Sequence, residues 1–457
     1  MPDKPSNDFI MSERVFKRKI YDKILQWKSE RNGKTALLVK GARRVGKSTI
    51  VREFAKREYK SFIAIDFAKA SKAVKSLFED LDNLDYIFLT LQSLYHVSLH
   101  ERESVIIFDE VQLCPLARQA VKYLVEDGRY DYIETGSLLS IKKNRDGILI
   151  PSEETRITMF PMDYEEFLWA TNDFNTINLI RYSLERRKPL GDDINRQLMR
   201  QFRTYMLVGG MPQSVNAYID TNNLSEADSV KREIIELYID DLRSIDTTGK
   251  ASALFESIPA QLAVSKLRFE PWSVVNNVSS DALANIWKDL EDSQTVNFSF
   301  RTSDPNVGLG LHRDMDSFRI YLCDTGLFVT LAFWDKDVTE NSLYGKLLSD
   351  KLAADLDYVY ENVVAQMLRA SGHSLYYYTF PADAEKKKYY EIDFLTTSQN
   401  KINPIEVKSS GYKAHRSLDV FREKYSSRIG QPVMIYTKDL RWENGMLYIP
   451  AYMTPFL

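Results

Sequence analysis

Nine consecutive residues combine glycines, a lysine and hydroxyl side chains in a spacing that suits phosphate chemistry. The segment 41–49 reads GARRVGKST and matches the pattern G-x-x-x-x-G-K-[ST]. Glycines let a backbone curl around a phosphate so that its N–H groups point inward. Lys47 supplies a mobile charge for the β- and γ-phosphate oxygens, and the Ser48 hydroxyl is suited to ligate Mg²⁺. The segment therefore predicts a phosphate-binding loop.

An acidic pair completes this prediction. The run VIIFDE at 105–110 is apolar until it ends in Asp109 and Glu110. In P-loop ATPases an aspartate in this position holds Mg²⁺, and a glutamate beside it can accept the proton of the attacking water. We expect Ser48 and Asp109 as metal ligands and Lys47 and Glu110 as catalytic residues. The alternative, a strand that ends in a solvated acidic turn, is the weaker interpretation because the loop lies upstream.

The residues expected to contact the nucleotide lie in this loop and at the end of this strand, and ATP and Mg²⁺ are the predicted cofactors. They are Gly41, Ala42, Arg43, Arg44, Val45, Gly46, Lys47, Ser48, Thr49 and Asp109. The segment ETGS at 134–137 adds Thr135 or Ser137 near the γ-phosphate. That assignment is less specific, because any turn from a strand to a helix favours Thr, Gly and Ser.

A second group of charged residues has the pattern D…E-x-K. In EIDFLTTSQNKINPIEVKSS (391–410), Glu406 and Lys408 share one face of a strand because they are two residues apart. The loop TTSQNKIN is expected to bring Asp393 beside them. Asp393 and Glu406 are then the predicted Mg²⁺ ligands, and Lys408 is predicted to orient or activate a water. Glu361, on the helical segment 358–372, completes the predicted catalytic set. The alternative is a half-exposed hairpin, which shows the same alternation.

The elements that must position these residues are short strands that alternate with helices. TALLVK (35–40), SFIAIDF (61–67), SVIIFDE (104–110) and DYIETGS (131–137) read as strands. They predict an α/β fold with a parallel sheet covered on both faces. Residues 176–245 are mostly helical around a VGGMP turn. Residues 251–300 predict three helices and then β-structure, and a last α/β unit follows from 342.

Composition limits the class of protein. A chain of 457 residues predicts two to four domains. With 61 basic and 64 acidic residues, the net charge of −3 argues against a field that attracts nucleic acid along the whole chain. Two distant cysteines exclude a disulfide scaffold. No signal peptide is visible and no apolar run approaches the roughly 20 residues of a membrane helix. We therefore expect a soluble cytoplasmic protein.

Two histidines have the spacing of helix-borne metal ligands. His96 and His100 are four residues apart. No third ligand is near them in the sequence, so two exposed histidines on an ordinary helix are the favoured interpretation.

The segments LLVKGARRVGKST, IIFDEVQ, ETGS and RITMFPMDYEEFL resemble a bacterial and archaeal family of AAA-type ATPases with a C-terminal domain designated DUF4143. YMLVGGMPQSV and YLCDTGLF resemble its C-terminal signatures. The resemblance implies ATP binding and hydrolysis, although the family usually has glutamine or a similar residue at Arg44. It also implies four regions: an AAA+ ATPase core (1–165), a helical lid or linker (166–250), a winged-helix-like region (251–340) and a restriction-endonuclease-like domain (341–457).

Two functions remain open after this resemblance. One is an ATPase that controls a C-terminal nuclease acting on DNA; the other is an ATP-dependent switch or adaptor whose last domain binds a protein. The third helix of the winged-helix-like region carries mostly acidic residues (Asp281, Asp289, Glu291, Asp292) against Lys288. A surface that contacts phosphates should be basic, so a structural or protein-contact role is favoured for this helix. Oligomerisation stays open, with Arg145 and Arg156 as candidate arginine fingers.

Overall fold

The computed structural model describes most of the chain. The described residues are 14–136, 153–264, 267–336, 342–349, 356–383, 388–413 and 415–457. Ser137 and Arg145, which the sequence singled out, lie outside these ranges. Within them, no helix is both long enough and apolar enough to cross a bilayer. Cys114 and Cys323 are free and buried, in agreement with the expected absence of a disulfide scaffold.

The N-terminal part is built on a five-stranded sheet. Its strands are β1 (Ala36–Lys40), β2 (Ser61–Asp66), β3 (Ser104–Asp109), β4 (Asp131–Gly136) and β5 (Glu154–Thr158). They lie in the order β2-β3-β4-β1-β5, and every pair is parallel. Strands β3 and β4 are buried along their whole length, as continuous apolar strands covered on both faces should be. The predicted parallel sheet is confirmed.

Helices cover both faces of this sheet. They are α1 (Ile20–Arg31), α2 (Lys47–Glu58), α3 (Lys72–Ser76), α4 (Leu84–Tyr95) and α5 (Pro115–Asp127). Because neighbouring residues of a strand face opposite ways, the side chains of β1 divide between two cores. Leu37 and Val39 pack in the core that includes Val51 and Phe54 of α2. Leu38 packs in the other, with Leu91 of α4 and Val121 of α5.

Eight helices connect the two sheets. They are α6 (Tyr164–Ala170), α7 (Thr176–Glu185), α8 (Asp192–Val208), α9 (Pro212–Thr221), α10 (Leu224–Ile245), α11 (Lys250–Glu256), α12 (Ile258–Ala263) and α13 (Ser280–Ser293). The turn between α8 and α9 is tightly enclosed: a Cβ on Gly210 would lie 2.0 Å from the Met162 carbonyl oxygen. On α13, Leu283, Ile286 and Leu290 are buried on one face, and the partly buried Trp287 packs beside them.

The C-terminal part has an eight-stranded mixed sheet. Its strands are β6 (Val296–Thr302), β7 (Arg313–Leu322), β8 (Leu375–Asp383), β9 (Lys388–Ser398), β10 (Lys401–Val407), β11 (Val433–Tyr436), β12 (Arg441–Glu443) and β13 (Met446–Pro450). The order is β12-β13-β11-β10-β9-β8-β6-β7. Helices α14 (Thr325–Ala332), α15 (Ser342–Leu348), α16 (Asp357–Ala370) and α17 (Arg416–Lys424) accompany it. The α/β fold class is confirmed.

One sheet pairing joins two of the expected regions, and one expectation about this part needs correction. Strand β6 pairs in parallel with β8, with Ser299 opposite Leu375, so one sheet has strands on both sides of the expected boundary between 340 and 341, which stays a prediction. Local sequence could not show this pairing, because the two strands are far apart in the chain. The predicted loop TTSQNKIN is also shorter than expected. β9 continues to Ser398 and β10 begins at Lys401, and a tight turn with Gln399 at φ 51° joins them.

Candidate functional site

The phosphate-binding loop lies between the end of β1 and the start of α2, as its motif requires. Arg44 at φ 68° and Gly46 at φ 96° take left-handed backbone conformations, which curl the loop. Gly41 has no room for a side chain, because a Cβ there would lie 2.3 Å from the Met159 carbonyl oxygen. The first helical residue, Lys47, is only 7% exposed.

The Lys47 ammonium group turns back onto the loop. Its Nζ donates to the carbonyl oxygens of Gly41 (3.0 Å) and Ala42 (2.9 Å). Burial lowers the pKa of Lys47 to about 8, while the charges of Glu110 and Asp109 act in the opposite direction. Lys47 is thus a partly desolvated cation inside a glycine loop. A bound phosphate would favour its charged form, because a negative charge nearby stabilises an ammonium group.

The two predicted magnesium ligands meet at the end of β3. Ser48 Oγ donates to Asp109 Oδ1 over 2.7 Å, and the Thr135 hydroxyl donates to the same oxygen. Hydroxyl and carboxylate oxygens are the hard ligands that Mg²⁺ prefers, so this pair fits the ion. The sequence analysis missed Arg52, whose Nη2 lies 3.1 Å from Asp109 Oδ2. The sequence could have indicated Arg52, because this residue lies on α2 one helical turn after Ser48.

Glu110 follows β3 in a strained backbone conformation. Its φ is 54°, a left-handed value that costs a residue with a side chain about 1–3 kcal/mol. Its backbone N–H donates to Thr135 Oγ1 (3.4 Å), and the Gln112 side chain donates to its Oε2. The carboxylate is thus held beside the loop, where it acts electrostatically on Lys47.

Two groups of contacts around the loop were not predicted from the motif. The buried Arg18 donates to the Val45 carbonyl oxygen over 2.9 Å and holds the loop from behind. On the outer side, Arg43 Nη1 lies 2.8 Å from Asp241 Oδ1, and the Tyr238 hydroxyl donates to the Arg43 carbonyl oxygen (2.8 Å). Both partners belong to α10, far away in the sequence, and no local pattern identifies them.

A cavity of about 700 Å³ opens next to the loop. Gly46 and Thr49 line it on one side, and the apolar side chains of Phe16, Pro212 and Ala217 line it as well. Its volume is within the roughly 300–1,000 Å³ typical of ligand pockets, which are mostly apolar. Gly46 of the loop and Thr49 of α2 place this cavity directly beside the phosphate loop.

The predicted D…E-x-K residues also come together. Strands β9 and β10 are antiparallel neighbours, with Phe394 opposite Ile405. Asp393 Oδ2 accepts a hydrogen bond from the Val407 backbone N–H (2.8 Å). Lys408 Nζ lies 3.4 Å from Glu406 Oε1. The strand-parity argument thus placed Asp393, Glu406 and Lys408 correctly on one side of the sheet.

Glu361 of α16 faces the same cleft and brings partners that the sequence did not reveal. Its Oε2 accepts from the Tyr321 hydroxyl (3.2 Å) and lies 3.4 Å from Arg319 Nη1. Arg319 also forms an ion pair with Glu391. Glu391 could have been found, because it lies two residues before Asp393 and therefore on the same face of β9. Arg319 and Tyr321 come from β7, which sequence patterns did not connect to this site.

We call the group of charged side chains around Asp393 the acidic cleft. Its carboxylates are Asp357, Glu361, Glu391, Asp393 and Glu406, and its cations are Arg319 and Lys408. Burial raises the pKa of Glu361 to about 8 and of Glu406 to about 7, and in both cases the charge of Asp393 adds to the effect. Burial opposes the charge of Lys408, yet Asp393 and Glu406 raise its pKa above the ordinary value. Carboxyl groups therefore outnumber cations here, and burial favours the protonated forms of Glu361 and Glu406.

Two buried carboxylate oxygens of the cleft have no hydrogen-bond partner, Glu391 Oε1 and Glu406 Oε2. The first of them is in an ion pair with Arg319. Among the residues that the structure describes, no three His, Cys, Asp or Glu side chains form a group arranged to hold a metal ion. Metal binding by Asp393 and Glu406 therefore stays a prediction.

The remaining candidates are His96, His100 and Arg156. Helix α4 ends at Tyr95, so His96 and His100 follow the helix and do not share a helical face; the expected helical placement is wrong. Arg156 on β5 pairs with Glu154 through its Nε, and its role as an arginine finger stays a prediction.

Comparison with protein families assigns most of the chain. Residues 33–168 match an AAA domain, and residues 357–453 match a domain of unknown function, DUF4143. The chain joins an AAA-type ATPase domain to a C-terminal DUF4143 domain. Residues 199–338 match another domain of unknown function, DUF8612. The acidic cleft spans two of these units, because Arg319 lies in the DUF8612 match and the other members lie in the DUF4143 match.

Solved structures resemble this AAA–DUF4143 chain only distantly. The Walker-type ATPase of Pyrococcus abyssi is 16% identical, with a TM-score of 0.43 over 70% of this chain and 97% of that one. Cdc6p from Pyrobaculum aerophilum is 12% identical, with a TM-score of 0.27 over 75% of this chain and 97% of that one. Both TM-scores are too low to carry an argument about function. No curated protein matches the chain.

Proposed function

We propose that this protein binds ATP with Mg²⁺ and hydrolyses it at the phosphate loop of the AAA domain. One observation carries the proposal: Ser48 and Asp109 meet within 2.7 Å at the edge of the sheet where Lys47 is enclosed by its loop. A strand alone or a loop alone does not place a hydroxyl, a carboxylate and an ammonium group around one phosphate-sized space. The family match to an AAA domain supports the same reading.

Each residue has a defined task in this proposal. The loop N–H groups and the positive end of α2 bind the phosphates, and Lys47 contacts the β- and γ-phosphate oxygens. Ser48 and Asp109 hold Mg²⁺, which supplies charge neutralisation on the phosphates when bound. Glu110, oriented by Gln112, accepts the proton of the attacking water. The test is calorimetric titration of the protein with Mg²⁺-ATP, followed by measurement of phosphate release.

The cavity beside Gly46 is the proposed site of the adenine base, and it gives a separate prediction. Ala217→Trp should weaken ATP binding roughly 5- to 150-fold, because a bulky side chain that crowds an occupied site costs about 1–3 kcal/mol. Inorganic tripolyphosphate, which has no base, should bind the variant as well as the wild type. Ala217→Ser is the matched control. Equal ATP affinity of Ala217→Trp and the wild type would show that the adenine base does not bind in this cavity.

We further propose that the acidic cleft binds a divalent cation through Asp393 and Glu406 and acts on nucleic acid. The unpartnered Glu406 Oε2 and the excess of carboxylates support a missing positive charge. Lys408 lies beside Glu406 and would orient a water. A specific observation favours the alternative, a non-catalytic protein-binding module: Arg319 already pairs with Glu361 and Glu391 and neutralises part of the cleft.

Titration with Mn²⁺ tests cation binding in the cleft. Glu406→Gln should weaken Mn²⁺ binding at least roughly tenfold, since losing even an outer partner of a metal costs 10–100-fold. Glu423→Gln, an exposed glutamate on α17, should bind Mn²⁺ like the wild type. The Asp109→Asn substitution removes the contribution of the ATP site to the measured Mn²⁺ binding. Incubation with DNA and RNA substrates then separates the two alternatives: cation-dependent cleavage that Asp393→Ala abolishes supports a nuclease, and binding without cleavage supports the adaptor.

A further inference from the structure

Helix α10 contacts the phosphate loop directly at its C-terminal half. Asp241 pairs with the Arg43 guanidinium over 2.8 Å, and the Tyr238 hydroxyl donates to the Arg43 carbonyl oxygen over 2.8 Å. Arg43 also acts electrostatically on Lys47, and Glu110 acts on Asp241. The Arg43–Asp241 pair therefore lies at the loop, near Lys47 and Glu110.

The N-terminal half of α10 is hydrogen-bonded to the first turn of α14, which we call the Gly326 turn. The fully buried Lys231 donates from Nζ to the carbonyl oxygens of Leu207 (2.6 Å) and Gly326 (3.3 Å) and to the Tyr344 hydroxyl (2.6 Å). Asp228 Oδ1 accepts from the same Tyr344 hydroxyl over 2.9 Å. Asp228 and Asp241 are thirteen residues apart, which is roughly 20 Å along a helix. One rigid element thus spans the distance between the two groups of contacts.

From this turn the contacts continue into the acidic cleft. Asp324 Oδ2 accepts from the Gly210 backbone N–H over 2.6 Å. Two residues earlier, the Leu322 backbone N–H donates to Asn362 Oδ1 over 2.9 Å. Asn362 is the neighbour of Glu361 on α16, and Leu322 follows Tyr321 on β7. The N-terminal half of α10 is therefore joined, through buried hydrogen bonds and short stretches of backbone, to the residues beside Glu361 and Tyr321.

We propose that α10 carries a nucleotide-sensing contact: the γ-phosphate of ATP draws Arg43 away from Asp241, and the released helix changes its contacts with the Gly326 turn beside the acidic cleft. The proposal rests on the ATP binding proposed above and adds its regulation. ADP leaves the Arg43–Asp241 pair closed, because it has no γ-phosphate to compete with Asp241 for Arg43.

The charges of the γ-phosphate, Arg43 and Asp241 explain why ATP should open this ion pair. A γ-phosphate offers Arg43 a more highly charged partner than one carboxylate, and it repels Asp241 at the same time. The pair is partly exposed, with side-chain exposures of 49% and 37%, so it is weak enough to be opened. Coupling of this kind is reciprocal: a change of the Gly326 turn must also alter the affinity of the loop for ATP.

Hydrogen exchange of the full-length protein tests the proposal without relying on catalysis. Peptides covering 207–213 and 322–331 should exchange faster with Mg²⁺ and a nonhydrolysable ATP analogue than with Mg²⁺-ADP. Asp241→Asn should exchange at the faster rate with both nucleotides. It should also bind the ATP analogue roughly two- to fivefold more tightly, as expected for removal of one competing surface ion pair. ADP affinity should not change.

The matched control is Asp240→Asn, which removes the same charge from the neighbouring, exposed position of α10. It should behave like the wild type in both measurements. Equal exchange of the wild type with ADP and with the ATP analogue, when calorimetry shows that both bind, would overturn the sensing contact and leave the ATPase proposal intact. A difference that persists in Asp241→Asn would overturn it too. Absence of any nucleotide binding would overturn the ATPase proposal and this inference with it.

Discussion

Glu110→Gln should keep ATP bound while slowing its hydrolysis by roughly 10²–10⁴-fold, the contribution of one positioned general base. A neutral amide cannot accept the proton of the attacking water. The amide has nearly the same shape as the carboxylate, and its oxygen can still accept the hydrogen bond from Gln112. The affinity for ATP should therefore change little. Calorimetry measures that affinity, and single-turnover phosphate release measures the chemical step.

The control for this variant is Glu126→Gln, which alters an exposed glutamate on α5 by the same chemical change. Its turnover should equal that of the wild type. If Glu110→Gln also turns over ATP at the wild-type rate, Glu110 is not the base. A variant that loses ATP binding would instead assign Glu110 to nucleotide affinity.

Lys47→Ala should abolish measurable ATP binding and turnover. The variant removes the one ammonium group inside the loop, and with it the charge that balances the β- and γ-phosphates. It also leaves the Gly41 and Ala42 carbonyl oxygens without the partner they now have. An unsatisfied buried acceptor costs about 1–3 kcal/mol, so the variant should also unfold at a lower temperature.

Circular dichroism must show that Lys47→Ala is folded before its binding is interpreted. Lys56→Ala, at an exposed position of the same helix, controls for the loss of one positive charge. Unchanged nucleotide affinity in a folded Lys47→Ala protein would contradict the assignment of the loop as a phosphate site. Lys47→Arg serves as a second variant, because it keeps the charge but lengthens the side chain.

The sequence by itself determined the phosphate loop, strands β1 to β4, the helix after the loop, and the acidic end of β3. These features depend on local preferences: glycines for a left-handed turn, apolar runs for buried strands, and helix formers after the loop. Since the carboxyl ends of parallel strands meet at one edge of a sheet, Ser48 and Asp109 could be expected to approach one another. Strand parity likewise brought Asp393, Glu406 and Lys408 together, because the two strands follow each other directly.

Only the tertiary structure decided which distant residues complete each site. Arg43 and Asp241 are 198 residues apart, and Arg319 meets Glu361 from a strand that the sequence analysis assigned to another region. A charged residue on a helix or strand has the same local pattern whether it faces solvent or a buried partner. The difference arises when the pairing of β6 with β8 and the packing of α10 against the loop bring the chain together. Those contacts depend on shape and burial over long sequence separations, which local periodicity does not record.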